Sequence, residues 1–466
     1  MSIIILIPAI LAAYVAWTQS PHRAFIFIYV PVLLFFPGYY HWKILGIPDP
    51  NFSTATILTI TAVWLIRGLP GWRFSFTDLL VFGYTFSVLF SEFHSPSPQG
   101  KIHYQNFVAN FSASVIFPYL LAKSLVEPAG LREAFAKSIV IVLFIVAMLM
   151  IFQFITQSQY SIQQSLLGRF FGGEGWVNAG SSQKRWGVIR IAGPYGHEIL
   201  AGIVLWVGYR IQRWLEWSHA WPPRLRQFPW LPISTARLLS LGIFAGGFVT
   251  LTRGPIIGAI VAAFIPLMGL SKRRWLIFWF FVALSVTVGI PIISWFISYA
   301  SIDPGLAETR SQETVVYRWQ LVINYFDIAM EHIIWGWGRF GIPRPESNQK
   351  SIDNHFLLLL LQHGIMGLGF FWSIFVTMTI RLFFHSMLHP VIDPPGSSLG
   401  FTLLSLYVLI FVSVATVWLG GQTVPLFFLI VGWSEGYLRS GQESLGSKAT
   451  APPRSSQSFQ FRRILK

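Results

Sequence analysis

Side chains that could do chemistry gather at four places in an otherwise apolar chain. The first runs from Arg190 to Glu198, where an arginine, a histidine and an acid stand among glycines that permit close approach of the backbone. The second is the turn from Thr252 to Pro255, in which Arg253 precedes a helix that we expect to begin at the proline. An arginine at a helix amino terminus is well placed to hold an anion.

The third place has apolar residues at helical spacing from Val315 to Ile333, which predicts an amphipathic helix with Arg318 beside its apolar stripe. The fourth is Asp353-Asn354-His355, at the start of a strongly apolar segment. A carboxylate or an imidazole there could take a proton from a hydroxyl group. Asp353 and Asn354 could equally cap the helix that follows.

Five other polar residues have a structural interpretation. His363 lies within an apolar run, and we expect it to be a buried contact between helices. Four arginines stand near the ends of apolar segments, where they usually anchor a helix or contact lipid headgroups. These arginines are Arg169, Arg185, Arg339 and Arg344.

The elements that carry the four places must cross a membrane. The chain is 54% hydrophobic and only 11% charged, and its apolar runs have the length that a spanning helix needs. We predict an all-α, polytopic membrane protein with about 12 to 13 transmembrane helices. The predicted spans are Ser2 to Trp17, Ala24 to Gly38, Ser53 to Ile66, Phe76 to Glu92, Phe107 to Leu125, Ser138 to Thr156, Ile199 to Gln212, Ala236 to Thr250, Pro255 to Leu270, Trp275 to Tyr299, His355 to Phe384, Leu399 to Leu419 and Val424 to Arg439.

Basic residues predict the orientation. Clusters within 210–237 and 272–274 mark cytoplasmic loops by the positive-inside rule. The turn at 251–254 lies between these clusters and must open on the other side, and counting spans places 157–198 and 300–354 on that outer side as well. The polar places therefore share one face.

The predicted organisation is a transmembrane domain over 1–440, which includes a long and partly helical outer loop at 300–354. A basic tail at 441–466, rich in Ser, Pro and Gln, is expected to be disordered and cytoplasmic. The net charge of +15 does not indicate nucleic acid, because the basic residues lie in short loops between apolar spans. The absence of cysteine excludes a disulfide framework and a thiol nucleophile, and no acidic cluster in the outer loops has metal-ligand spacing.

The four places, in this order, resemble the O-antigen ligase and O-antigen polymerase superfamily of bacterial membrane glycosyltransferases. The resemblance covers roughly 190–369. Its parts are Arg-x-x-Gly-Pro-Tyr-Gly-His from Arg190, the Thr-Arg-Gly turn, Tyr317-Arg318-Trp319 in the outer loop, Gly336-Trp337-Gly338, and Asp353-Asn354-His355-Phe356-Leu357 leading to Gly364-Ile365-Met366-Gly367-Leu368.

The resemblance implies a GT-C-like, metal-independent enzyme without a cofactor in the bacterial inner membrane. Such an enzyme moves a glycan from undecaprenyl pyrophosphate to a hydroxyl of a glycan or lipid acceptor on the periplasmic face, and it can work with other polysaccharide assembly proteins. Ligases of the superfamily commonly carry His-Asn before the apolar span. Here Asp353-Asn354 stands in that register, which is more similar to polymerases of exopolysaccharide or O-antigen type than to ligases of lipopolysaccharide biosynthesis.

Site roles follow from this chemistry. Cleaving a sugar from pyrophosphate builds negative charge on the leaving group, which fixed guanidinium groups stabilise. We expect Arg190, Arg253 and Arg318, together with Asn354, to bind substrate, with Arg253 acting in catalysis as well. The candidate bases are Asp353 and His355, followed by His197 and Glu198.

Two alternatives from other classes remain. A transporter or flippase of lipid-linked sugars would share the size and the outer arginines, and it would more often show inverted repeats and discontinuous helices. The sequence shows little sign of either. A scaffold within a polysaccharide export complex fits the basic tail and leaves Arg253 and Asp353 without a role.

Overall fold

The computed structural model describes residues 2–43, 48–171, 183–224, 233–271, 273–306, 309–345, 352–388 and 398–450. It is all-α and 75% helical, with several apolar helices, so the chain is a polytopic membrane protein as predicted. The extended structure within these ranges consists of one two-stranded antiparallel hairpin and an isolated bridge.

The helices are numbered along the chain. The first nine are α1 (Ile3–Thr18), α2 (Pro21–Phe35), α3 (Phe52–Ile66), α4 (Phe76–Phe93), α5 (Pro98–Ile102), α6 (Tyr104–Leu125), α7 (Arg132–Thr156), α8 (Ile162–Leu167) and α9 (Glu198–Trp217). The hairpin before α9 consists of β1 (Lys184–Arg185) and β2 (Val188–Ile189). The remaining helices are α10 (Thr235–Val249), α11 (Arg253–Gly269), α12 (Arg274–Ala300), α13 (Arg310–Glu331), α14 (His355–Leu388), α15 (Leu399–Val414) and α16 (Thr423–Thr450).

Each of the 13 predicted spans falls on one helix or on two consecutive helical segments. Within the described ranges, five helices are long and apolar enough to cross a membrane, and six apolar helices are shorter. Polar residues fix several helix starts, since the Asn51 side chain accepts the Thr54 N–H at 2.8 Å and the Thr309 hydroxyl accepts the Gln312 N–H. The last helix continues to Thr450, past the predicted domain boundary at 440, and residues 451–466 of the predicted tail lie outside the described ranges.

The helices form one bundle with a shared apolar core. The closest neighbours are α1 with α3, α4 with α14, α6 with α16, α7 with α10, α9 with α10 and α11 with α15. Helix α12 lies at the edge of this packing: Ile277, Phe278 and Phe281 pack against the core, but none of the residues in its most apolar part is fully buried. Lipid, rather than protein, is the natural solvent of such a helix.

Helix α14 is broken at Gly364, where the backbone has φ 64° and ψ −167°. The Gly336-Trp337-Gly338 turn fills the break. Its Trp337 and Gly338 N–H groups donate to the carbonyls of Leu361 and Gln362 at 2.8 and 2.9 Å, while the Ile365 N–H donates to Ile333 O at 2.7 Å. The structure thus contains a discontinuous helix that the sequence analysis did not predict. The N–H groups of the turn and of Ile365 at the break are already paired.

The predicted amphipathic helix is α13, and its packing differs from the expected one. The stripe from Val315 to Ile333 includes side chains that are largely exposed, such as Phe326. The face that packs on α14 is a second stripe, in which Leu321 and Tyr325 contact the start of that helix. The helix therefore has two apolar faces, one against protein and one open to an apolar surrounding.

Candidate active site

The loop before α9 is held by hydrogen bonds rather than by a core of its own. The hairpin turns at Trp186-Gly187, both with positive φ, and the Arg190 N–H donates to Gln183 O at 3.0 Å. The Tyr195 hydroxyl donates to Leu34 O at 2.8 Å. These contacts fix both ends of the segment that contains the arginine.

The turn between α10 and α11 packs against α9 on one side and against the segment after α15 on the other. A Cβ on Gly202 of α9 would come within 2.5 Å of the Thr252 hydroxyl, and a Cβ on Gly254 would come within 2.5 Å of the Thr416 hydroxyl. Helix α11 begins at Arg253 itself, so the prediction that it begins at Pro255 was wrong. Thr252 is the extended residue before the helix, and a proline is tolerated in the first turn, where its N–H would lack a partner.

Four arginines from three separate segments form what we call the arginine cluster: Arg185, Arg190, Arg253 and Arg318. The Arg185 guanidinium donates to Leu251 O of the turn. Burial lowers the pKa of Arg185 below its usual range, and the charges of the other three arginines add to this effect while Glu198 opposes it. Since charges act strongly only over short distances, each of the other three arginines lies in the neighbourhood of Arg185.

The arginine cluster has unused hydrogen-bonding capacity. The Nε atoms of Arg190 and Arg318 are buried without a partner, and in the described part of the chain none of the four arginines forms an ion pair with a carboxylate. Arg190 is only 6% exposed, and its pKa is lowered by burial although Glu198 lies nearby. Buried unpaired cations of this kind are costly unless an anion occupies the site.

An imidazole and two acids adjoin the cluster. His197 precedes α9, and its Nδ1 accepts the Ile199 N–H at 3.2 Å, which leaves the proton of the neutral ring on Nε2. Burial lowers the pKa of His197 below its usual range; the charges of Glu198 and Asp353 oppose this shift, and that of Arg190 adds to it. His197, Glu198 and Asp353 therefore belong to the same electrostatic neighbourhood as the arginines.

The other two residues of the Asp353-Asn354-His355 segment have structural contacts. Asn354 Oδ1 accepts the N–H groups of Phe356 and Leu357 at 3.0 and 3.2 Å, which is an N-cap of α14. His355 is buried, and its Nδ1 accepts the Leu419 N–H at 3.3 Å. The structure thus gives Asn354 the capping role, and it directs His355 toward the segment after α15.

Arg185 is the functional candidate that sequence reasoning missed, because it was interpreted as an anchor. Its place in the same short loop as Arg190 was the only signal available. Arg339 was also interpreted as an anchor, but its contacts are within the protein. Its Nε donates to the buried Glu92 at 3.1 Å, and its guanidinium lies over the Phe107 ring. His363 is buried as predicted, and its Nδ1 lies 3.4 Å from the Ser91 hydroxyl.

Fold and site together define a helical membrane protein with a cationic cluster at one end of its bundle, next to groups that can take up a proton. Among the described residues, no three His, Asp or Glu side chains are grouped as a metal site would require. Residues 238–372 match the family model described as O-Antigen ligase. This match covers less than a third of the chain, and it supports the resemblance to the O-antigen ligase and polymerase superfamily that the motifs predicted. No curated protein matches the chain at a significant level.

Proposed function

We propose that this protein transfers a glycan from a polyprenyl-pyrophosphate donor, such as undecaprenyl pyrophosphate, to a hydroxyl of an acceptor. The observation that carries the proposal is the arginine cluster, which gathers four cations without a carboxylate partner among the described residues. A pyrophosphate would complete it, because the planar guanidinium group binds phosphate oxygens in pairs and keeps its charge.

The proposed step needs no metal. The acceptor oxygen attacks the anomeric carbon, and the bond from that carbon to the pyrophosphate oxygen breaks. The bonding electrons leave with the pyrophosphate, whose growing charge the arginines stabilise. The hydroxyl proton passes to Asp353, or to His197, whose neutral form is favoured by burial.

We place the site on the periplasmic face of the inner membrane. The support is the positive-inside rule, which assigns the loops at 210–237 and 272–274 to the cytoplasm and the turn at 251–254 to the other side. The loop before α9 contacts that same turn through Arg185 and Leu251, so the two segments share a face. The donor lipid would then approach within the bilayer while the glycan stays in water.

Within this class we propose a polysaccharide polymerase rather than a ligase. Asp353 stands in the register where the ligases of the superfamily commonly have histidine, and it lies close enough to His197 to affect its pKa. A polymerase adds repeat units to a growing lipid-linked chain, so both substrates carry pyrophosphate. A ligase instead needs a different lipid acceptor.

Donor consumption by the purified protein in liposomes tests this proposal. Undecaprenyl-pyrophosphate-linked repeat units are supplied with a chelator present, and lipid-linked products are sized on gels. Arg253→Gln and Asp353→Asn are compared with Arg237→Gln, an exposed arginine at the far end of α10. We expect longer chains from the wild type and Arg237→Gln, and a loss of about 100- to 1,000-fold in the two site variants.

Other outcomes separate the alternatives. Donor consumption only after addition of a lipid A core acceptor would establish a ligase. A wild type inactive with a chelator and active with a divalent metal would overturn metal independence. Movement of intact donor across the liposome membrane, without any new glycosidic bond, would establish the transporter, which the break in α14 favours only weakly because its backbone groups are paired.

A further inference from the structure

The segment between α15 and α16, residues 415–422, contacts three of the four segments that carry the candidate site. We call it the α15–α16 connection. It lies outside residues 238–372, which match the family model. Its end is closed by a turn, in which the Gly420 N–H donates to the Thr423 hydroxyl and that hydroxyl donates to Gly420 O. A short segment fixed in this way can hold its neighbours in place.

The first contact is with the loop before α9. The Gln422 side chain is buried, and its Nε2 donates to Phe36 O at 3.0 Å and to Pro194 O at 3.2 Å. Pro194 is four residues after Arg190 and three before His197. One amide group therefore ties this loop both to the end of α2 and to the α15–α16 connection.

The second contact is with the start of α14. His355 Nδ1 accepts the Leu419 N–H at 3.3 Å, and His355 is two residues after Asp353. Because Nδ1 accepts, the proton of the neutral ring is on Nε2, which is buried without a hydrogen-bond partner in the described structure. Neither nitrogen is then free to take a proton from an acceptor hydroxyl. His355 therefore has the geometry of a positioning residue rather than that of a base.

The third contact is steric and involves the turn between α10 and α11. A Cβ on Gly254, the residue after Arg253, would come within 2.5 Å of the Thr416 hydroxyl, closer than real Cβ contacts. Thr416 is itself fixed, since its hydroxyl donates to Ser413 O at 2.9 Å. The backbone of the turn therefore packs directly on the α15–α16 connection.

We propose that the α15–α16 connection positions the proposed base and the arginines relative to each other, with Gln422 and His355 as positioning residues. The inference rests on the proposed glycosyl transfer for the reaction that is positioned, whereas the contacts can be tested without any reaction. Misplacing reacting groups by about 1 Å can cost about 100-fold in rate. Because each segment keeps its own binding groups, we expect losses in kcat rather than changes in KM.

Gln422→Met tests the first contact, because methionine has a similar shape and no N–H donor. Gln163→Met is the matched control, since Gln163 is also buried and its amide atoms have no hydrogen-bond partner in the described part of the chain. NMR of labelled histidine in nanodiscs follows His197 in both variants. Burial is the largest cause of the lowered pKa of His197, so a loosened loop should raise that pKa toward its usual value of about 6.5. In the transfer assay, kcat should fall about 10- to 100-fold for Gln422→Met alone.

His355→Asn and His355→Leu test the second contact. The Oδ1 atom of asparagine takes the place of Nδ1 and can accept the Leu419 N–H, whereas leucine cannot. We expect His355→Asn to keep kcat within about threefold and His355→Leu to lose about 10- to 100-fold. The charge of Asp353 raises the pKa of His197, so displacement of Asp353 in His355→Leu should lower that pKa, and His355→Asn should leave it unchanged.

A steric rescue tests the third contact. The Cβ added in Gly254→Ala should disturb the turn and lower kcat by about tenfold. The double variant with Thr416→Ala removes the hydroxyl that this Cβ would meet, so it should restore most of the loss. A loss that Thr416→Ala does not restore would contradict the proposed contact.

The proposal is overturned if Gln422→Met and Gln163→Met give the same pKa of His197. It is also overturned if His355→Asn is as inactive as His355→Leu, since the imidazole itself would then be a reacting group. If Gln422→Met does not fold, the His355 pair and the Gly254 rescue decide in its place. If the protein transfers no glycan but the pKa of His197 shifts as expected, the proposed function fails and the positioning stands. If transfer proceeds and Gln422→Met leaves kcat unchanged, the positioning fails alone.

Discussion

Charged side chains at the two ends of the helical bundle differ in how they are paired. At one end, Lys123 and Asp78 are fully buried as an ion pair at 2.7 Å, and Glu435 is paired with Arg381. At the other end, the arginine cluster brings four cations together without a carboxylate partner in the described part of the chain. The two groups of residues therefore differ in pairing: the first consists of ion pairs, and the second has no carboxylate partner among the described residues. Arg210 of α9 also has buried guanidinium nitrogens without a hydrogen-bond partner in the described structure, and its guanidinium lies over the Trp217 ring.

This difference teaches which charges are structural. A buried ion offsets its desolvation only if a partner and further hydrogen bonds surround it, and Asp78 has these in Lys123 and in the Tyr119 hydroxyl at 2.5 Å. Arg190 and Arg318 have Nε atoms that are buried without a partner. The arginine cluster can therefore bind an anionic substrate, whereas the Lys123–Asp78 ion pair holds two helices together.

Breaking the Lys123–Asp78 ion pair should have the largest effect on stability. Lys123→Met leaves the Asp78 carboxylate buried and unpaired, so we expect the free energy of unfolding to fall by about 3–5 kcal/mol. Denaturant titration of the detergent-solubilised protein measures this loss. The double variant Lys123→Met with Asp78→Asn is uncharged and keeps an oxygen that can accept from the Tyr119 hydroxyl, so it should recover part of the loss. A double variant as unstable as the single one would show that the unpaired charge is not the cause.

Substitutions in the arginine cluster should leave folding intact and reduce activity. Arg190→Gln removes a charge that has no ion-pair partner in the described structure, so we expect a loss of about 100- to 1,000-fold in kcat/KM, equivalent to about 2.7–4 kcal/mol. Arg185→Gln should behave similarly in the transfer assay. A loss of stability comparable to that of Lys123→Met would contradict the comparison of the two ends, because it would make Arg190 structural.

The backbone at the break in α14 depends on glycine. A Cβ on Gly364 would come within 2.3 Å of Ile334 O, and the residue has a positive φ that other residues rarely adopt. We expect Gly364→Ala to cost about 1–3 kcal/mol of stability and to lower activity together with it. Gly369→Ala is the matched control, since nothing lies within 4 Å of its Cβ position. Equal stability of the two variants would show that the break in α14 tolerates a side chain.

Most of the fold could be predicted because a spanning helix leaves a long apolar run that few other structures produce. Arg190, Arg253 and Arg318 could be proposed from the order of short motifs, and the structure places them around Arg185. That fourth arginine could not be found in advance, since only the hairpin and the Leu251 carbonyl bring it to the others. The break in α14 was hidden for a similar reason, because one glycine in an apolar run has no local mark of a kink.

The smallest expected effect concerns the proton of His197, and it tests whether the two ends differ in electrostatics as well as in pairing. Burial lowers its pKa, so the ring stays neutral as the pH falls below about 6.5, the usual value, while the unfolded chain takes up a proton. Stability from this residue is therefore present above that pH and is lost as the pH falls toward the folded pKa. His197→Gln should remove that part of the acid sensitivity.

Neighbouring charges should move this pKa in opposite directions, which NMR of labelled histidine can follow without any activity. Asp353→Asn removes a charge that raises the pKa of His197, so the pKa should fall further; Arg190→Gln removes a charge that lowers it, so the pKa should rise. Lys123→Gln, at the paired end, should leave it unchanged. If Asp353→Asn had no more effect than Lys123→Gln, Asp353 would lie too far from His197 to share its site, and the proposed base would have to be sought elsewhere.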